Sequence, residues 1–162
     1  MKTSVSIPLD ADGYLRRECP NCIRQFKWFS GETDDRPTGT IDPTEYTCPY
    51  CGIAAPTSDW WTQEQLDYAV GMAGPAVTQE ATSMLKKEIG KINRRSSFIK
   101  MEVSSRSAPT PGPMAEPNNM VMKHSPCHGW EPIKVSDDWH AALHCLVCGA
   151  QFDHGAQANI AG

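Results

Sequence analysis

The chain has 162 residues, of which 40% are apolar, and a net charge of −4. Glycine and proline together supply 25 residues, so the chain is rich in turns and short of core, with room for one ordinary domain or two very small ones. No segment is apolar over the length a bilayer requires and the N-terminus lacks an apolar stretch of signal-peptide length, which argues against a membrane protein and leads us to expect a cytoplasmic or nucleoid one.

Val5, Ile7 and Leu9 alternate with polar residues and predict a strand. Asp10 to Gly13 is a turn signal, and Tyr14 to Glu18 predicts the returning strand. Next come Cys19-Pro20-Asn21-Cys22 and, after 25 intervening residues, Cys48-Pro49-Tyr50-Cys51-Gly52. Two residues between cysteines let a tight turn aim both sulfurs at one point, and two such turns make a tetrahedral metal site. Disulfides are rare in a reducing compartment, so paired cysteines there point to metal or redox chemistry. Between the pairs, Ile23 to Phe29 predicts a strand, Ser30 to Pro43 a loop, and Glu45-Tyr46-Thr47 a strand leading into the second turn. Phe26, Trp28 and Phe29 are the expected core of this unit.

The middle of the chain predicts helix. Asp59 or Thr62 can cap it, and Thr62 to Gln65 fits a capping box beside Trp60 and Trp61. Gly71 and Gly74-Pro75 are expected to break it, with Pro75 opening a second helix. That second helix carries an apolar stripe, Met84, Leu85, Ile89 and Ile92, expected to dock on a ribbon or a partner chain. From Lys86 to Arg106 the charge is +5, against −9 for the rest. Lys87, Lys91, Arg94 and Arg95 are therefore the candidate nucleic-acid-binding residues, although such a run is often only a solvated face. A proline-rich stretch from Ser104 to Asn119 reads as an extended linker.

The C-terminal part holds Cys127 and, after 17 intervening residues, Cys145-Leu146-Val147-Cys148-Gly149. The fourth ligand is a histidine. His124 is slightly preferred, because it keeps the two-residue gap to Cys127; His128, directly beside Cys127, is its competitor. His140, His144 and His154 read as ordinary packing or surface histidines. Ile133 to Val135 predicts a strand, Ser136 to Asp138 a turn, Ala141 to His144 the return strand, and Ala150 to Phe152 a third.

The Cys-Pro-x-Cys and Cys-x-x-Cys-Gly turns resemble the zinc ribbons of transcription factors and ribosomal proteins, and the knuckle of rubredoxins. The resemblance covers about 35 residues at the first site and about 30 at the second. It implies short antiparallel strands around a structural zinc and no single function.

The expected fold is thus small α+β: an N-terminal zinc ribbon at 1–58, a helical segment at 59–103, a linker at 104–121 and a C-terminal ribbon at 122–156. The expected cofactor is zinc at two sites, with iron an alternative at the first. The expected role is non-catalytic binding of a protein partner or a nucleic acid, with no membrane and no small-molecule substrate. The alternatives are rubredoxin-like electron transfer and an accessory zinc domain of an enzyme complex. Four cysteines close the first site against a catalytic water. Near the second, Glu131 lacks the His-x-Glu setting of zinc deaminases.

Overall fold

The computed structural model describes residues 4–95, 102 and 109–153. They form a small α+β fold of two compact units. One comprises Pro8–Thr62 and Ala115–Gly162, the other Met1–Ile7 and Gln63–Met114.

The first of these units carries all the described strands: β1 (Tyr14–Glu18), β2 (Gln25–Phe29), β3 (Glu45–Thr47), β4 (Ala54–Pro56), β5 (Val121–Lys123), β6 (Ile133–Val135), β7 (Leu143–His144) and β8 (Gln151–Phe152). Four of them make one antiparallel sheet in the order β1-β2-β6-β5. Its central pairing joins the two ends of the chain, with Lys27 opposite Lys134 and Trp28 opposite Ile133. Two short hairpins, β3–β4 and β7–β8, complete the unit.

Side chains alternate across a strand, so Phe26 and Trp28 share one face of β2 and Lys27 takes the other. The Phe26 face is the apolar core. Phe26, Trp28, Tyr50, Trp60, Ile133, Val135, Leu143, Leu146 and Phe152 pack there. Phe26 meets Trp60 edge-on with ring centroids 5.6 Å apart. Trp61 instead lies over the Arg17 guanidinium at 4.4 Å, with Trp28 at the same distance over the same cation. Phe29 is only half-buried, edge-on to Tyr14.

The opposite face is held by ions. Lys27 and Lys134 are both buried and in register, where two like charges repel. Asp10 lies between them and accepts from both, at 3.0 and 2.9 Å. The N–H groups of Asp12 and Tyr14 orient its other oxygen. Burial alone would push the Asp10 carboxyl up, but Lys134, Lys27 and those two N–H groups together hold it well below the usual carboxylate range. Lys27 also pairs with Glu116 at 3.0 Å, and Lys134 donates to Asn118 at 2.7 Å. The end of the proline-rich stretch is therefore fastened to the sheet.

Among the described residues, the second unit contains one helix, α1 (Gln63–Arg95), with Pro75 inside it. Gly71 is packed so closely against Pro111 that an added Cβ would lie 2.9 Å from that ring.

Three expectations are corrected. Val5 to Leu9 is not a strand, because alternation alone supplies no hydrogen-bonding neighbour. Gly71, Gly74 and Pro75 bend the helix without ending it; proline removes one backbone bond, while the turns on either side keep theirs. Strand β6 does not turn back onto β7: it pairs with β2 and β5, and β7 takes β8. On the stripe expected to dock on a ribbon or a partner chain, Met84 and Leu85 are exposed.

Candidate metal centres

Three Cys-x-x-Cys turns fold alike. In each, the residue after the second cysteine donates its N–H to the carbonyl of the first: Ile23 to Cys19 at 2.9 Å, Gly52 to Cys48 at 3.0 Å, Gly149 to Cys145 at 2.9 Å. The first cysteine in turn donates to the carbonyl one residue further on, at Arg24, Ile53 and Ala150. This double closure requires a left-handed residue after the second cysteine. Gly52 (φ 72°) and Gly149 (φ 74°) supply it freely, whereas Ile23 (φ 64°) does so against its side chain.

The first centre joins two of these knuckles. The sulfurs of Cys19, Cys22, Cys48 and Cys51 all lie within 4.8 Å of one another. Cys19 is 3.7 Å from Cys51, and Cys22 is 3.8 Å from Cys48. A tetrahedral ion with metal–sulfur bonds of ~2.3 Å has sulfur–sulfur edges of about 3.8 Å, so the four donors fit such an ion. Cys19 and Cys48 are buried, and Cys22 and Cys51 partly so. The N–H groups of Asn21 and Cys22 point at the Cys19 sulfur, at 3.3 and 3.4 Å. Burial pushes the Cys48 thiol strongly up. Burial also raises Cys51, but the Ile53 N–H, the Asn21 amide and the neighbouring thiols outweigh it and bring that thiol down to about 7. Backbone N–H groups that stabilise a thiolate serve a metal ligand in the same way.

The second centre joins one knuckle to a turn of different build. Cys127, His128, Cys145 and Cys148 offer donor atoms within 4.8 Å of one another. Cys127 and Cys148 are 3.4 Å apart, and the His128 Nδ1 is 3.4 Å from the Cys145 sulfur. With a metal–nitrogen bond of ~2.0 Å, an edge of about 3.5 Å is expected for the mixed pair. Ser125 organises the turn, which no spacing in the sequence disclosed. Its hydroxyl accepts the His128 N–H at 3.1 Å and donates to the Cys145 sulfur at 3.2 Å. Burial and the neighbouring Cys148 and Cys145 thiols raise Cys127 to about 11.

The choice between the two histidines falls on His128. The His124 ring is turned to the Gly129 carbonyl, 2.9 Å from its Nδ1, and is not among the clustered donors. Among the other histidines, His140 is exposed and His154 lies outside the described residues. His144 is not idle: its backbone and ring nitrogens both reach the Pro49 carbonyl, at 2.8 and 3.2 Å.

The candidate nucleic-acid residues sit on α1, apart from both centres in sequence. Lys87, Lys91 and Arg94 are exposed and fall on one helical face; Arg95 closes the helix, its side chain outside the described ones. Lys91 pairs with Glu88 at 2.7 Å.

No protein-family pattern, no characterised protein and no solved structure matches this chain. Its reading rests on its own residues.

Proposed function

We propose that this is a non-catalytic zinc protein, with two structural zinc ions that hold a scaffold for binding a partner macromolecule, and that it works in the reducing cytoplasm. The observation that carries this reading is the completeness of both donor sets, four converging donors in each. A catalytic zinc keeps a position open for water, and four protein donors leave none. Thiolate with imidazole is a zinc set, and thiolate alone also accepts iron. A Cys₃His centre beside the Cys₄ centre favours zinc in both.

The partner reading divides between a protein and a nucleic acid. The basic face of α1 supports the nucleic-acid version, because Lys87, Lys91 and Arg94 are exposed on it. The acidic total of −4 argues against phosphate contact over the whole surface and is compatible with a local basic face.

Native mass spectrometry with elemental analysis tests the metal. Two zinc ions per chain are expected; iron would turn the reading toward electron transfer, and a metal-free folded chain would overturn it. Changing Lys87, Lys91, Arg94 and Arg95 together to Gln tests the partner. Against a DNA or RNA oligonucleotide, the salt dependence of binding should lose about 0.9 of slope on duplex DNA for each phosphate contact removed. Binding that survives this change unaltered would reduce the helix to a solvated face.

A further inference from the structure

The two centres meet through their knuckles. Thr47, the residue before Cys48, donates its N–H to the Leu146 carbonyl at 2.8 Å. His144, the residue before Cys145, donates its N–H to the Pro49 carbonyl at 2.8 Å. Leu146 and Pro49 each follow the first cysteine of their own knuckle, so the two bonds are the same bond made in both directions. The side chains repeat the exchange. The His144 ring covers Gly52, where an added Cβ would lie 2.9 Å from it, and the Thr47 side chain covers Gly149, where the distance would be 3.4 Å. The hairpins behind them match as well, Thr47 standing opposite Ala54 and His144 opposite Gln151. Thr47, Cys48, Pro49, Cys145 and Leu146 are all buried in this contact region.

We propose that the two metal centres form one coupled pair, with Thr47 and His144 as the positioning residues that carry the coupling. The proposal rests on the metal reading above. A knuckle keeps its shape because its metal holds both sulfurs. When one centre empties, its knuckle no longer presents a fixed carbonyl, and the facing N–H loses its buried acceptor. The other knuckle is then held less well, and its centre binds metal more weakly. The sequence places the two knuckles far apart, so nothing else in the chain order ties their fates.

Coupling of this kind ordinarily amounts to roughly 5-fold to 150-fold in affinity. It must also be equal in both directions, since each site changes the other by the same factor. The test is competition of the full-length chain against a chromogenic zinc chelator. Cys148→Ser disables the second centre, and the zinc affinity of the first is read; Cys51→Ser does the reverse. The expected result is a loss of at least fivefold at the first centre of Cys148→Ser, with a matching loss at the second centre of Cys51→Ser.

His144→Ala leaves every ligand in place, and it carries the test should Cys51→Ser fail to fold. It should still bind two zinc ions, while the influence of Cys148→Ser, added to it, falls below its wild-type value, because the ring bond to Pro49 is lost and the two backbone bonds remain. His144→Asn, whose amide nitrogen takes the place of Nδ1, should restore the coupling. A side chain that merely packed would change the melting temperature and leave the factor alone. Two bound zinc ions with a factor of one in Cys148→Ser would overturn the coupling and leave the metal reading standing. A His144→Ala chain that keeps the full factor would remove His144 from the positioning role. A wild-type chain that binds no zinc would overturn both.

Discussion

Cys19 and Cys48 of the first centre are sealed in the apolar core, whereas Cys127 and Cys148 of the second lie exposed. Both centres use the same knuckle, closed by the same two backbone bonds. What differs is the second half of each site. In the first it is another knuckle, backed by Phe26, Trp28 and Trp60; in the second it is the Ser125–His128 turn, backed by one hydroxyl and the Trp130 ring. The comparison teaches that donor geometry and structural importance are separate properties. Both donor sets fit an ion, but the first buries Cys19 and Cys48 and leaves none of its cysteines exposed, while the second buries only Cys145 and exposes two.

The largest effect should follow from this difference. Apparent zinc-binding energies of structural sites run to about 10–16 kcal/mol, which matches or exceeds the ~5–15 kcal/mol stability of a whole domain. Cys48→Ser is therefore expected to unfold the sheet-containing unit, with loss of its near-ultraviolet circular dichroism. Cys148→Ser should keep that signal and one zinc. If both substitutions unfold the unit equally, the contrast between the centres fails.

Asp10→Asn comes next. Removing one partner of a buried ion pair costs about 3–5 kcal/mol where the charge left behind is uncompensated, and less where it keeps another partner. Here Lys27 and Lys134, paired across the two ends of the chain, would each lose their shared carboxylate and keep one other, Glu116 for Lys27 and Asp12 for Lys134. Both centres should therefore be destabilised together, with a lower urea midpoint and a single transition. The pH dependence has a definite sign. The folded-state carboxyl is held below its unfolded value, so its contribution is complete above about pH 4 and is lost as the pH falls toward the folded value. Wild type should lose stability in that acid range more steeply than Asp10→Asn. Parallel curves would show that Asp10 does not hold the sheet by its charge.

The second centre can be dissected more finely. An outer partner of a metal ligand is ordinarily worth about 10–100-fold in affinity, and a ligand itself should be worth more. Competition with a chelator should therefore rank His128→Ala above Ser125→Ala, at more than 100-fold and about 10–100-fold, with His124→Ala near wild type. A larger loss in His124→Ala would return the ligand to that residue.

How far the sequence disclosed these sites depends on range. The Cys-x-x-Cys pairs are local, and each one folds as the spacing implies. Strands β1, β2, β3 and β6 were legible from apolar patterning, as was the packing of Phe26 and Trp28. The joining of β2 to β6 was not, because Trp28 and Ile133 meet across more than 100 positions and neither carries a mark of the other. The buried lysines explain part of this. Lys27 and Lys134 look like surface residues, and the groups that make a buried place for them, Asp10 for both, Glu116 for Lys27 and Asp12 and Asn118 for Lys134, lie far from one or other of them in the chain. His128 rather than His124 joins the clustered donors; spacing favours the two-residue gap of His124, while the Ser125 hydroxyl that accepts from the His128 N–H is a tertiary fact. In the helix, Gly71 and Pro75 carry propensities that the remaining backbone bonds override.

The smallest predicted effect separates the knuckles from one another. Gly52 and Gly149 hold the left-handed position at no steric cost, and Ile23 holds it at φ 64°. A side chain in that region costs roughly 1–2 kcal/mol. A β-branched one gains nothing here in return, since Ile23 is 61% exposed. Ile23→Gly removes the strain but loosens the unfolded chain, which offsets about 0.5–1 kcal/mol of the gain. A net stabilisation of about 0.5–1 kcal/mol is expected, read as a higher urea midpoint with an unchanged slope. Gly52→Ala should do the opposite and by more, because it adds both the strain and a clash 2.9 Å from the His144 ring. If Ile23→Gly instead lowers the midpoint, the exposed isoleucine has a use that strain alone does not reveal, and the first knuckle is not merely a less relaxed copy of the other two.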